Sequence, residues 1–228
     1  MPARLATFAA AVATAAVIVG VALVWGQPRA PGPAPEAKPV ATPDDGSWSA
    51  AAAALPLTTD AAIEPPYERD SFGETGGDPD GNGCSQRDDV LARDLVDVVR
   101  EGCTVTSGTL EDPYGGRTIV LSLDRVDAGD AIRLDHVVGL RAAYDGGAWQ
   151  WTPERRAAFA VSLENVVAVD GDMALEKRGR GPSRWMPDDD DLRCEYAIRY
   201  TWIATAWELA VPRADRDILV ATLNDCGH

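Results

Sequence analysis

Several residue types that build active sites are scarce in this 228-residue chain. It has two histidines, and because His228 is the last residue, His136 is the only plausible imidazole base. Lysine occurs only at Lys38 and Lys177, against 19 arginines. The 36 acidic residues outnumber the 21 basic ones, which gives a formal net charge of −15. This balance excludes a protein that binds nucleic acid tightly through bulk positive charge.

The N-terminus instead has an abundance of apolar residues. Residues 5–25 carry no charge, and as a helix they would span about 31 Å, close to the thickness of a bilayer core. Arg4 precedes them, so we expect the rest of the chain to cross the membrane. The run is long for a signal peptide and no clear cleavage site follows it directly, which favours an uncleaved anchor over a cleaved signal. The chain is therefore expected on the extracellular side, either anchored in the cell membrane or secreted.

The four cysteines have no C-x-x-C spacing, which excludes a zinc knuckle of that type. On the exported side of a membrane, cysteines indicate disulfides. Three pairings are possible. We predict the pairs nearest in sequence, Cys84 with Cys103 and Cys194 with Cys226.

Prolines divide the chain into three parts, because 9 of the 16 lie in residues 27–66. Residues 1–26 are the anchor or signal peptide, 27–66 are predicted to be a disordered Pro/Ala-rich linker, and 67–228 are the folded domain. The alanine-rich stretch 49–55 allows a short helix within the linker. Of the charged residues, 18 basic and 31 acidic ones fall in 67–228, so the acidity belongs to the folded part.

Hydrophobic patterning in the domain predicts a mixed α+β fold stapled by two disulfides. Thr152 and Pro153 match a helix start, with Thr152 as the N-cap. The predicted helices are 90–100, one beginning at 153, 192–209 and 213–223. The predicted strands are 132–140, 166–169 and a hairpin of 103–109 with 118–124 around a turn at 112–116.

One group of residues points to chemistry. Asp135 directly precedes His136, Asn165 follows 29 residues later, and Lys177 begins the basic stretch 177–184. A divalent ion on Asp135 would neutralise a scissile phosphate, and His136 would deprotonate the attacking water. The Asn165 amide would hold the imidazole in its useful orientation. These residue types are those that phosphodiester hydrolysis needs.

The sequence resembles the secreted actinobacterial HNH endonuclease-like proteins, whose nuclease centre has the ββα-metal fold. The matching segments cover the domain in order: 67–72, 83–91, 103–108, 112–114, 135–138, 165–170, 185–187 and 193–196.

The resemblance implies an HNH core and an extracellular endonuclease that hydrolyses DNA phosphodiester bonds. It implies Asp135 as metal ligand, His136 as general base and Asn165 as the residue that positions it. Mg²⁺ is the expected ion, with Mn²⁺ or Zn²⁺ as alternatives. We expect the substrate phosphate to be contacted by the basic residues Lys177, Arg178, Arg180 and Arg184. The expected partners are DNA, held weakly and locally, and the membrane through residues 5–25. The chain is expected to be a monomer, and no protein partner can be named.

The chain departs from the family pattern at the second half of the site. The family has Asn-Arg-x-Lys on the helix after the second strand, where the asparagine is the third residue of the metal site. Here Ala174 stands in its place, with Lys177 at the lysine position. The alternative function is therefore a catalytically inactive HNH-fold interaction module.

A second, separate motif is Asp78-x-Asp80-x-Asn82-Gly83, the spacing that begins a calcium loop. Position 12 of that loop is Asp89 rather than glutamate, and Cys84 lies where the loop would continue. An ordinary Asp/Gly turn is the alternative.

Overall fold

A computed structural model of the chain describes residues 47–59, 62–73, 76–78, 80–124 and 131–227. The chain divides into two compact units, 1–32 and 33–228, and all described residues belong to the second. The predicted anchor at 5–25 and the first part of the predicted linker lie outside the described residues. Within the described ranges, no helix has the length and apolar character needed to cross a bilayer.

The described part is a mixed α+β structure, as predicted. The helices are α1 (Trp48–Ala53), α2 (Gln86–Asp94), α3 (Leu140–Asp145), α4 (Pro153–Val161), α5 (Gly171–Lys177), α6 (Asp190–Ala206) and α7 (Arg213–Asp225), with a short 3₁₀ helix at Ala148–Gln150. The strands are β1 (Leu95–Glu101), β2 (Thr104–Glu111), β3 (Thr118–Ser122), β4 (Ile132–His136) and β5 (Val166–Asp170). Thr152 caps α4 through its hydroxyl and Pro153 opens the helix, which confirms that prediction.

The predicted hairpin is part of an antiparallel three-stranded sheet in the order β1-β2-β3. Leu110 pairs with Ile119 across the β2–β3 hairpin. Its turn is closed by Asp112, whose Oδ2 accepts from the Gly115 N–H at 2.7 Å. This side chain satisfies backbone groups that a tight turn leaves without a partner.

A second, two-stranded sheet pairs β4 antiparallel to β5, and α5 begins immediately after β5 and packs on both strands. The register sets Asp135 opposite Val167 and His136 opposite Val166. These three elements form a strand–strand–helix unit. Of the site residues that the sequence singled out, it carries Asp135, His136 and Lys177.

Strand β5 is buried on both faces, between two apolar clusters. Because side chains alternate along a strand, Val166 and Ala168 pack in a smaller cluster with α2 and the three-stranded sheet. Val167 and Val169 pack on the other face, in the larger cluster of the helices. This burial explains why β5 reads as a continuous apolar run rather than an alternating one.

The helix predicted at 90–100 is only half correct. Helix α2 begins earlier, at Gln86, where the Ser85 hydroxyl accepts from the Asp88 N–H, and it ends at Asp94. The remaining residues form β1.

The predicted domain boundary at residue 67 is too late. Trp48 and Leu55 are buried in the larger cluster, and α1 packs against α6 and α7. Leu57 forms a parallel bridge with Val211. The short helix that the alanine-rich stretch allowed is therefore present, and it belongs to the folded domain.

Both predicted disulfides are confirmed. Cys84 bonds to Cys103, which ties the loop before α2 to the β1–β2 turn. Cys194 bonds to Cys226, which ties α6 to the end of α7.

Candidate functional site

Asp135, near the end of β4, is the centre of the site. Its Oδ2 accepts two hydrogen bonds, from the Tyr114 hydroxyl at 2.8 Å and from the Lys177 ammonium at 2.7 Å. The side chain is 13% exposed. One carboxylate thus joins the β2–β3 turn, strand β4 and the end of helix α5.

Tyr114 can contact Asp135 because the β2–β3 turn, which contains Tyr114, is bonded to the end of β5. Asp112 Oδ1 accepts from the Asp170 N–H at 3.0 Å, and Arg117 forms an ion pair with Asp170 at 2.6 Å. The Tyr114 ring packs on Trp185 with centroids 4.9 Å apart. Burial, and then the Asp135 charge, raise the pKa of the Tyr114 hydroxyl well above 10, so it remains a hydrogen-bond donor.

Lys177 is fully buried. Besides Asp135, its ammonium donates to the His136 carbonyl at 2.7 Å, and it lies 5.8 Å from the centroid of the Tyr114 ring. Burial lowers the pKa of Lys177, and the Asp135 carboxylate opposes that shift. The ammonium is out of reach of a phosphate in solvent, which corrects the predicted phosphate contact for this residue.

His136 is half-buried, and its Nε2 lies 2.8 Å from the Ala160 carbonyl oxygen. Because a carbonyl can only accept, Nε2 carries the proton and Nδ1 is left with its lone pair in the neutral ring. Burial lowers the pKa of the imidazole below 6.5, although the Ala160 bond and the Asp135 charge oppose this. The ring is thus neutral near pH 7, as a general base requires.

Asn165 is fully buried, and both hydrogen bonds of its side-chain amide go to Val138. Its Oδ1 accepts from the Val138 N–H at 2.9 Å, and its Nδ2 donates to the Val138 carbonyl at 3.1 Å. The sequence-based expectation that this amide holds the His136 ring directly is therefore corrected. Asn165 instead fixes the backbone two residues beyond His136.

The three arginines of the basic stretch follow α5. Arg178, Arg180 and Arg184 are all exposed. Arg178 ends the helix in a left-handed conformation, with φ of 50°, and its Nε donates to the Leu175 carbonyl at 2.9 Å. Their contact with a phosphate stays a prediction.

The donor set around Asp135 does not match a divalent metal. Among the described residues, no three His, Cys, Asp or Glu side chains are grouped so that they could hold an ion. Ala174 packs on the larger apolar cluster instead of supplying a ligand. The Oδ2 oxygen of Asp135 already accepts hydrogen bonds from an ammonium and a hydroxyl group.

The surface next to the site is acidic. A cleft of about 500 Å³ beside Tyr114 and α5 has Arg117 as the one basic residue among its described lining residues. Its acidic lining residues are Asp170, Asp172, Glu176, Asp188 and Asp189. Such a surface repels a phosphate backbone.

The Asp78 loop has the hydrogen bonds of a turn. Asp78 accepts from the backbone N–H groups of Gly81, Asn82 and Gly83. The Asn82 amide donates to the carboxylates of Asp80 and Asp89, at 3.0 Å each. These contacts are those of the Asp/Gly turn alternative.

Sequence reasoning missed Tyr114 as a member of the site. The only signal was its place in the segment Asp112–Pro113–Tyr114, one of those that carry the resemblance. A tyrosine in a hairpin turn gives no indication of the distant carboxylate that it meets.

No protein-family model matches the sequence, and no solved structure matches it. A protein of Arthroderma benhamiae described as an uncharacterized secreted protein is 33% identical over 146 residues. The aligned region is 63% of this chain and 68% of that protein. The secreted relative and the two disulfides support an extracellular location. The chain belongs to the family of this fungal secreted protein.

Proposed function

We propose that the domain is a non-catalytic extracellular module built on an HNH-type ββα core. The strand–strand–helix order of β4, β5 and α5 supports the HNH part of this proposal, with Asp135 and His136 ending the first strand and Asn165 preceding the second. The disulfides and the secreted relative support its extracellular part.

The contact between Asp135 and Lys177 carries the non-catalytic part. Their atoms lie 2.7 Å apart, with the lysine fully buried, so the carboxylate already has its counter-charge. Ala174, one helical turn before Lys177 and so on the same side of α5, has no atom that ligates a metal. A base alone, without a cation at the scissile phosphate, lacks the main electrostatic contribution to phosphodiester hydrolysis.

The charge around the site supports the same proposal. The neighbouring cleft has five carboxylates and one arginine, and that arginine is already paired with Asp170. A DNA backbone brought to this surface meets repulsion rather than counter-charge. The partner of such a module is not a polyanion at this face.

A metal-dependent DNA endonuclease is the second candidate, because of one observation at His136. The ring is half-buried, its Nε2–H is fixed on the Ala160 carbonyl, and its Nδ1 has a free lone pair at neutral pH. This is the state in which imidazole accepts a proton from water. On this candidate, the ion would lie at Asp135 and the contacts to phosphate would come from the exposed arginines.

A plasmid-cleavage assay separates the two candidates. The full chain, exported so that both disulfides form, is incubated with supercoiled plasmid and Mg²⁺, Mn²⁺, Zn²⁺ or Ca²⁺, beside its His136→Ala and Ala174→Asn variants. We expect the wild type and His136→Ala to leave equal amounts of intact plasmid. Cleavage by the wild type that EDTA stops and His136→Ala abolishes would establish the endonuclease. Cleavage gained only in Ala174→Asn would identify the missing ligand as the cause of inactivity.

A further inference from the structure

Lys177 is an unusual residue to find without solvent contact. A buried ammonium is strongly unfavourable unless hydrogen-bond acceptors and an opposite charge surround it. Here the Asp135 carboxylate and the His136 carbonyl each accept from it at 2.7 Å. It is also the only lysine in residues 67–228, a region with 17 arginines.

The same carboxylate oxygen also accepts from Tyr114, whose raised pKa keeps the hydroxyl protonated. Asp135 is thus bonded to helix α5 through Lys177 and to the β2–β3 turn through Tyr114. These contacts connect elements that β4 does not pair with in a sheet. The carboxylate is a structural junction of three elements.

A divalent ion on Asp135 would lie within a few ångströms of this ammonium, and like charges so close repel strongly in a buried site. Position 174, where the resemblance implies the further ligand, is alanine. The side chains around Asp135 therefore suit the ammonium of Lys177 better than a divalent metal ion.

We infer that Lys177 is the permanent counter-cation of Asp135, so that this centre folds and remains stable without a divalent metal. This inference rests on one part of the proposed function, namely that Asp135 holds no metal ion. Its tests measure stability and metal content instead of DNA cleavage. A wild type that cuts DNA, yet shows no Asp135-dependent metal, would overturn the proposed function and leave this inference in place.

The first test is thermal unfolding of the full chain and its Lys177→Met, Asp135→Asn and doubly substituted variants. Each single change leaves one buried charge without its partner, and we expect it to lower the midpoint temperature by about 10 °C. The double change removes both charges, so its loss should be clearly smaller than the sum of the two. The control is Arg141→Met, which breaks the exposed pair with Asp145 and should shift the midpoint by less than about 2 °C. A Lys177→Met loss no greater than this control would overturn the inference.

The second test asks directly whether the wild type holds a metal ion. The metal content of the purified wild type is measured by mass spectrometry, and its midpoint temperature is compared in EDTA and in millimolar Mg²⁺, Mn²⁺ or Zn²⁺. We expect less than one equivalent of metal per chain. We also expect that added metal does not raise the midpoint temperature through an effect that depends on Asp135. One equivalent of metal, or a stabilisation by metal, that is present in the wild type and lost in Asp135→Asn would show that Asp135 holds an ion.

Discussion

At the scale of single residues, Asn165 shows how a buried amide can organise a site without touching its reactive group. Its two hydrogen bonds satisfy both backbone polar groups of Val138, which follow the last strand residue His136 by two positions. Buried backbone groups that lose their partners cost free energy, because water cannot replace the lost bonds. Asn165 therefore determines how the chain leaves β4.

We predict that Asn165→Ala lowers the free energy of unfolding by about 2–4 kcal/mol, since one N–H and one C=O are left buried and unpaired. Urea unfolding of the full chain measures this. Asn224→Ala, at an exposed position of α7, is the matched control and should change the free energy by less than about 0.5 kcal/mol. Equal effects of the two changes would mean that the Val138 contacts contribute nothing to stability.

The sequence predicted which residues of the site matter better than it predicted their contacts. Asp135 and Lys177 do lie in one strand–strand–helix unit, and Asn165 immediately precedes its second strand. That Lys177 points inward could not be predicted, because its neighbours Arg178 and Arg180 are exposed and the stretch reads as a solvated loop. Lys177 can be buried because it pairs with Asp135, which lies 42 residues earlier in the sequence. A local sequence pattern gives no information about so distant a partner.

At the scale of secondary structure, β1 shows why local patterns were misleading. The Val98–Val99 pair continues the helical spacing from Val90, yet β-branched residues also favour strands. Register shifts between Val96 and Arg100 disrupt the alternation that would have identified the strand. The helix start at Ser85 was not predicted either, although the Ser85 hydroxyl caps the helix through its hydrogen bonds with Asp88.

The junction between β4 and the loop after α5 depends on a close approach of two backbones. Gly139 lies so near Gly179 that an added Cβ would be 2.6 Å from the Gly179 carbonyl oxygen and 3.0 Å from its Cα. The strand exit and the loop containing Arg178 and Arg180 are therefore packed more closely than a larger residue at position 139 allows.

We therefore predict that Gly139→Ala lowers the free energy of unfolding by about 1–3 kcal/mol, because one of the two backbones must move. Chemical denaturation measures the loss. Gly77→Ala is the control, because its Cβ would meet no atom within 4 Å. If Gly139→Ala is as stable as Gly77→Ala, the two backbones are free to separate, and the junction does not constrain the end of α5.

At the scale of the whole molecule, the sequence predicted the two disulfides correctly but not the N-terminal boundary of the folded domain. Four cysteines in an exported chain left three pairings, and the pairs nearest in sequence are the ones that form. The N-terminal boundary was harder, because prolines and alanines suggested a linker up to residue 66. Trp48 and Leu55 insert into the core, and two large apolar residues so far apart give no periodic signal.

We predict that Trp48→Ala lowers the free energy of unfolding by about 3–5 kcal/mol, the cost of removing a large side chain from a packed core. Trp48 is 8% exposed, and α1 lies against α6 and α7, which the Cys194–Cys226 disulfide also joins. Leu175→Ala is the control, since Leu175 is 48% exposed and its loss should cost less than about 1 kcal/mol. Guanidinium unfolding of the full chain compares the two. Because α1 packs across two helices, its loss should lower the stability of the whole domain in one transition. A Trp48→Ala effect as small as that of Leu175→Ala would place the start of the cooperative unit nearer residue 67.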